Sequence, residues 1–554
     1  MKPLLYWHTL RHLKWTQVTS RLRRRYLRLN LVCPTDARPR TLSNPIGADP
    51  WRACALDERG ALEFLNERRS LPDVGGWNAP GVAKLWLYNL HYFDWINSVG
   101  RTSAAVSFDA RALGWMQRWI DENPPPFGNG WEPYPISQRI VNWIKWLSRG
   151  PAISKSKVAS IAQSLVLQAH VLSQRLETHL LGNHLFENAK ALVFAGSFFE
   201  GESADRWFER GSRILDEELN EQILEDGGYF ELSPMYHAII VEGLLDLLSL
   251  QYARPSARWA EHGLSRERLA DKARAMLRWL GYMSHPDGHI ALFNDAAFGI
   301  APDLATLQAY ASARGLTMQL DQPRKGVHRL QASGFVRVDR GNSVAILDVG
   351  RVGPEYLPGH AHADTLSFEW SLGCERVIVD TGTSLYAAGA ERTRQRGTAA
   401  HNTVVVDGAD SSEVWGQFRV ARRAYLLDVQ VDTSLKQWTI DAAHDGYRRL
   451  PGNVIHRRRW SIGAHTLTVL DRLEGRYADA QARFHFHPGV RIENESTGTL
   501  RLSLPGGQRI LMRVSRGRAF IEDSSYHPEF GRSIPNRCVA VALDGGAANV
   551  NFEF

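Results

Sequence analysis

The hydrophobic period changes once along this chain, near residue 325, and that change limits the folds open to it. Between about residues 60 and 320, apolar residues recur at three-to-four spacing. IAQSLVLQAHVLSQRLETHLLG, LFENAKALVFAGSFF and AIIVEGLLDLLSLQYA are examples. That is the pattern of helices with one buried face. Gly, Pro and Asn punctuate them, as in PPPFGNGWEPYP, which predicts short links between antiparallel helices, a bundle or a helical toroid. No fixed-period repeat of the solenoid kind is present. Beyond residue 325 the chain turns to short β-rich runs with Gly and Asp turns, such as NTVVVDG, AYLLDVQVDT and HTLTVLDRLEG. These predict an antiparallel sandwich. Helices followed by strands mean two segregated domains in an α+β chain. The boundary falls in TMQLDQPRKGVHRLQASG, residues 317–334.

With 554 residues the chain can build at least two large cores. Its net charge of +7 favours a polyanionic partner: nucleic acid, anionic lipid or acidic polysaccharide. No nucleic-acid-binding module is evident and the arginines are scattered, which sets nucleic acid aside. The 18 Trp can stack on sugar rings or fill helical cores, the second being commoner. Four widely spread cysteines, Cys33, Cys54, Cys374 and Cys538, imply no disulfide framework. The start, MKPLLYWHTLRHLKWTQVTSRLRRRYLRLN, lacks the uninterrupted apolar run of a signal peptide. It is a basic amphipathic segment over residues 1–60 that could lie on an anionic membrane surface or pack on the domain with its arginines in water.

Chemistry-bearing residues cluster in few places. GHAHADTLSF sets His360, His362 and Asp364 at alternate positions, which in a strand would share one face. VIVDTG adds Asp380 and AAHNTVVVDG adds His401. Two histidines and a carboxylate brought together by a sheet suit a divalent metal, zinc above all. A plain hairpin turning near Gly373 would not set Asp380 beside His362, so the HAHAD segment has to bend or bulge. In the helical half, Asn183 and His184 of GNHLFENAKAL stand before an apolar helix, where Asn is also a good N-cap. DGGYFELSPMYHAIIVEG brings Glu231, Ser233, Tyr236 and His237 to a helix entry. WEPYPISQRIVNWIKWL offers Tyr134 and Arg139 to an acidic sugar or to helix packing.

GNHLFENAKAL, DGGYFELSPMYH, FNDAAFG, GHAHADTLSFEW, VDTGTSLY and RTRQRGTAAHNTVVVDGADSSEVWG occur together and in this order. In combination they resemble the heparinase II/III family of polysaccharide lyases, whose relatives include oligoalginate lyases. The resemblance runs from about residue 80 to the end. It implies an incomplete (α/α) toroid over residues 61–325, a β-sandwich over 326–554 and a cleft between them. It implies that Tyr236 is the catalytic tyrosine, that Asn183 and His184 contact the uronate, and that His360 faces the cleft from the sheet domain. His362, Asp380 and His401 match the family's metal set, one structural zinc per chain, with Asp364 a supporting hydrogen-bond partner. Tyr134, Arg139, His237, Glu231, Arg392 and Arg396 are the expected substrate-binding residues, the arginines gripping uronates on either side of the scissile bond.

The chemistry follows from the substrate class. A lyase removes the C5 proton of a uronic acid and expels the group on C4. Neutralising the carboxylate lets charge flow onto it as an enolate, work for Asn183 and His360. Tyr236 serves as acid, and as base where both events share one face; His184 is the alternative base. The resemblance implies an acidic polysaccharide and a periplasmic setting, with cytoplasmic and membrane-peripheral placements also consistent with the N-terminal segment. Two rivals stand beside it. One is a uronate C5-epimerase; the other is a non-catalytic polysaccharide-binding or assembly protein on an enzyme scaffold.

Overall fold

The computed structural model describes residues 2–40, 44–47, 51, 54–57, 59–72, 74–98, 105–150, 154–316 and 325–554. The expected boundary stretch lies outside the described residues over 317–324. Helices occupy the chain up to Ala313 and strands dominate from Gly326 onward. The helical half packs around one large apolar core. Its longer helices include Pro133–Ser148, Lys155–Gln174, Gly182–Phe198, Glu202–Gln222, Pro234–Ala253 and Arg266–Tyr282. The Trp residues behave as core: Trp77, Trp86, Trp95, Trp119, Trp143, Trp146, Trp279, Trp370 and Trp460 are all but sealed from solvent.

The strands form three main antiparallel sheets. A five-stranded meander runs in chain order from Gly326–Leu330 to Glu375–Ile378. An eight-stranded sheet runs from Leu426–Asp432 at one edge to Arg491–Ser496 at the other. A four-stranded sheet joins Val404–Val406 to Ala480–His485, Ile534–Ala542 and Arg518–Tyr526. One core unites them: Phe368 and Trp370, Phe484, and Trp460 and Phe552 come from the three sheets in turn. A smaller cluster of Leu232, Trp279, Phe293, Phe335 and Ile346 joins the helical half to the meander.

The HAHAD segment is not a strand. Residues 359–367 form turns, and the strand begins at Phe368. Asp364 C=O accepts from Ser367 N–H at 2.8 Å and Leu366 takes φ 64°. This supplies the bend that a plain hairpin lacked. Asn402 then fastens the neighbouring segments, its side-chain amide donating to the carbonyls of Phe368 (2.9 Å) and Val379 (2.8 Å).

A buried polar network holds the eight-stranded sheet to these turns. Arg458 pairs with Asp471 through Nε (2.7 Å) and Nη2 (2.9 Å), and its Nη1 donates to Leu366 C=O at 2.9 Å. His456 Nε2 lies 2.7 Å from Asp471 Oδ1. Burial opposes ionisation of Asp471, but the Arg458 charge and the His456 bond outweigh it and hold the carboxyl at about 2. A carboxylate depressed in the fold stabilises above its unfolded value of about 4, and that gain is lost as pH falls towards about 2. Its contribution at neutral pH is on the order of 2 kcal/mol. Asp471→Asn is expected to lower the urea midpoint at pH 7 and to shrink the fall in stability between about pH 4 and 2. An unchanged acid limb would mean that other carboxylates set it.

Candidate functional site

A cleft of about 1610 Å³ is lined from the helical half by Tyr134, Asn183, His184, Glu231 and Tyr236, and from the other half by His360, Tyr386 and Phe418. Asn183 lies in the first turn of helix Gly182–Phe198, but it is not the cap. Leu181 occupies that position with φ 68° and no side-chain cap bond. Asn183 N–H instead donates to Glu231 Oε1 at 3.2 Å. Gly182 permits this approach: at its φ of +56°, a Cβ would stand 2.5 Å from Glu231 Oε1 and from Leu357 Cδ2. His184 Nδ1 lies 3.2 Å from Glu177 Oε2, and its ring packs on Tyr134 at 4.7 Å. Burial disfavours the imidazolium, but the Glu177 carboxylate more than offsets that and raises the His184 pKa.

Tyr236 enters the cleft from the first turn of helix Pro234–Ala253, which Ser233 caps by accepting Tyr236 N–H at 3.3 Å. Its ring stacks on His360, centroids 3.8 Å apart at 27°. Its hydroxyl lies 3.1 Å from that of Tyr386. Burial, and then the proximity of Tyr386, push the Tyr236 phenol well above its ordinary pKa. It is therefore a neutral proton donor near pH 7.

The FNDAAFG stretch supplies a residue that spacing did not single out. Asp295 is fully buried. Its carboxylate takes Arg392 Nη2 at 2.7 Å, His360 Nδ1 at 3.0 Å and His362 Nε2 at 2.9 Å. The two histidines of HAHAD thus converge on one carboxylate although their segment is a turn. Backbone bonds add to the hub: Asp295 N–H donates to His360 C=O at 3.0 Å, and Ser233 Oγ donates to Asp295 C=O at 2.7 Å. Burial works against the charge, yet Arg392 and the two imidazoles hold the Asp295 pKa well below the usual carboxylate range. Tyr386 was likewise missed; it lay in the quoted VDTGTSLY with no spacing partner to mark it.

Several expected substrate contacts are corrected. Arg139 is fully buried, donating to Gln168 Oε1 (2.9 Å), His91 C=O (3.2 Å) and Gly130 C=O (2.8 Å) over the Trp119 ring. Arg392 is spent on Asp295 and on Gln417 C=O. Arg396 is spent on Ala361 C=O and Gly416 C=O. His237 is sealed between Tyr229 N–H, Met276 C=O and the Trp279 ring. Each arginine is buried and its donors are taken by partners within the protein, backbone carbonyls for all three and also Gln168 for Arg139 and Asp295 for Arg392. Glu231 does line the cleft, but its carboxylate accepts from Tyr229 hydroxyl at 2.7 Å and from Asn183 N–H. Tyr134 also lines the cleft.

The expected metal ligands are all fully buried. His401 Nδ1 lies 2.7 Å from Asp380 Oδ2, and the His362 and His401 rings are 5.2 Å apart. Among the described residues, no group of three His, Cys, Asp or Glu side chains is arranged to hold a metal ion. His362 Nδ1, His401 Nε2 and Asp364 Oδ2 nevertheless have no hydrogen-bond partner. Asp364 therefore leaves unmade a bond expected of a supporting partner. Unpaired buried polar atoms are uncommon and call for an explanation. Two imidazole nitrogens beside carboxylate oxygens are the donor set that zinc prefers.

A heparinase II/III N-terminus model matches residues 76–312, and a heparinase II/III-like C-terminal model matches residues 322–553. The FtsZ-localized protein C of Caulobacter vibrioides is 28% identical over 459 residues, 76% of this chain and 72% of its own. A heparin-sulfate lyase of Bacteroides stercoris is 23% identical over 375 residues, 58% of this chain, which spans only 54% of that protein. The crystal structure of heparinase III superposes with a TM-score of 0.70 at 17% identity, covering 87% of this chain and 79% of that one. A heparan sulfate lyase of Pedobacter heparinus superposes with a TM-score of 0.61 at 18% identity, covering 88% and 79%. The fold, helices followed by antiparallel sheets, is heparinase III-like. With both halves matched and in order, the chain belongs to the heparinase II/III family.

Proposed function

We propose that the protein is a polysaccharide lyase that cleaves a uronic-acid-containing acidic polysaccharide by β-elimination, leaving 4,5-unsaturated ends. The observation that carries this reading is the stack of His360 on Tyr236 in a cleft that Asn183 and His184 also line. Family membership and the relatives named heparin-sulfate lyase support it. The helices, in this reading, form an incomplete (α/α) toroid, and the sheets form a β-sandwich across the cleft.

Asn183 and His360 hydrogen-bond the uronate carboxylate, so that charge arriving from C5 is stabilised as an enolate. His184, made more basic by Glu177, takes the C5 proton. The C4–O4 bond breaks as the C4–C5 double bond forms, and Tyr236 gives its proton to the departing oxygen. Asp295 holds His360 by Nδ1, while Nε2 lies 3.6 Å from Glu231 Oε2. The test is a panel of uronate polysaccharides followed by ultraviolet absorbance of the new double bond. C5 inversion without absorbance would mean epimerisation. The name of the Caulobacter vibrioides relative favours a second reading, an assembly protein on a lyase scaffold. Binding across the panel with no unsaturated ends would establish that reading and overturn the first.

One structural zinc belongs to the same proposal, held by His362, Asp380 and His401. When bound it would supply a fixed tie between the turn carrying His360 and the strands behind it. Metal analysis of the purified protein should give about one zinc per chain. His362→Ala should lose the metal and lower the melting temperature together, because metal binding and folding are coupled. A metal-free wild type with undiminished thermal stability would rule this out.

A further inference from the structure

The positive charge of this protein lies at one end. The first 35 residues hold eight Lys and Arg and no Asp or Glu. The whole chain has 66 basic and 59 acidic residues, so the remainder is net −1. The chain's net positive charge therefore resides in its first 35 residues, which include the helices Lys2–Leu10 and Trp15–Tyr26.

Both helices are docked by polar stripes. In Trp15–Tyr26, Gln17 donates to Tyr356 C=O (3.3 Å), Ser20 Oγ accepts from Thr178 (3.0 Å), and Arg24 Nη1 meets His179 Nε2 (2.8 Å). In Lys2–Leu10, Tyr6 packs on the Trp415 ring at 5.1 Å, and Thr9 Oγ1 accepts from Trp415 Nε1 at 3.1 Å. At about 100° per residue, the opposite face of the second helix carries Trp15, Leu22 and Tyr26. These are 77%, 59% and 77% exposed. Arg23 and Arg25, both exposed, flank this stripe on either side. The first helix also exposes apolar residues, Leu4, Trp7 and Leu10, Trp7 being 63% exposed. Trp7 and Trp15 are the two large-exposure tryptophans in a chain that buries most of the others. Polar residues inward and aromatic residues outward, edged by arginine, invert the usual order for a helix packed on a domain.

We propose that this helical pair is a docking surface for an anionic lipid bilayer. The indole and phenol rings enter the headgroup region, and the arginines pair with the lipid phosphates. A soluble polyanion would use the arginines and leave the apolar stripe in water. A protein partner would need a complementary apolar surface, for which nothing in the charge pattern speaks. No helix among the described residues is long and apolar enough to cross a membrane, so the contact is interfacial. The inner faces of the same helices rest on Tyr356 and Trp415, beside the cleft-lining Leu357 and Gln417. The adsorbed protein therefore has its cleft lip next to the bilayer. This inference is independent of the lyase reading.

The experiment is sedimentation of the full chain with phosphatidylcholine vesicles, with and without about one third phosphatidylglycerol. The wild type should pellet with the anionic vesicles, less so as salt is raised. A Trp15→Ser, Leu22→Ser, Tyr26→Ser variant should lose at least about tenfold in apparent affinity. So should Arg23→Glu, Arg25→Glu, with melting temperatures unchanged because these side chains are exposed. Equal pelleting with pure phosphatidylcholine would overturn the proposal. So would full binding by the stripe variant, which would leave only a polyanion site. A fall in oligomer mass in that variant without any lipid binding would assign the stripe to a second copy of the chain.

Discussion

Tyr236→Phe is expected to lower kcat by roughly two to four orders of magnitude, the range for a lost general acid–base group, with little change in melting temperature. The substitution removes one oxygen and keeps the ring that stacks on His360 at 3.8 Å. The lost hydrogen bond, to Tyr386 hydroxyl at 3.1 Å, contributes about 1 kcal/mol to stability. The chemical loss is far larger. Burial keeps this phenol protonated, so it holds the proton that the departing O4 needs, and phenylalanine has none to give. Tyr386→Phe should cost less, because it removes the partner that orients the hydroxyl and not the donor itself. Both rates are read from the ultraviolet signal of the unsaturated product at saturating substrate. Turnover within a fewfold of wild type in Tyr236→Phe would remove the tyrosine from the chemistry.

Much of this was legible in the sequence because periodicity reports burial directly. Apolar residues three and four apart marked the helices around the first core, and short alternating runs marked the strands. The order of the halves followed. Motif position also placed Tyr236 and Asn183 in the cleft, since both sit in the first turn of a helix whose start is fixed by Ser233 or Gly182. Charge misled. Arginine in a cleft-facing motif reads as a ligand for an anion, yet Arg139, Arg392 and Arg396 are buried donors to backbone or to Asp295. Sequence shows that a guanidinium is present but not which carbonyls lack partners around it. Strand alternation misled as well. It put His360 and His362 on one face for the wrong reason, because the segment is a turn and a carboxylate 65 residues upstream gathers them. That carboxylate, Asp295, lies in the quoted FNDAAFG but has no spacing partner to mark it. Its importance comes from four segments meeting in space, which no spacing rule encodes.

Asp295 is accordingly the position where a single change should damage the fold most. Asp295→Ala removes the partner of Arg392 while leaving its guanidinium fully buried. Breaking a buried ion pair from one side costs about 3–5 kcal/mol, because the orphaned charge keeps its desolvation penalty. His360 and His362 lose their shared acceptor in the same step, so activity should fall even in the fraction that stays folded. Removing both charges, as Asp295→Ala with Arg392→Met, takes away the orphan. The double variant should therefore recover much of the lost stability while remaining inactive. Urea unfolding of wild type, each single variant and the double variant measures the coupling. A clearly non-additive cycle, with the double variant more stable than Asp295→Ala, identifies the pair as the pin between the helical half and the turn that carries His360. Additive losses would show that the two side chains act separately, and that backbone bonds alone hold the turn against the cleft.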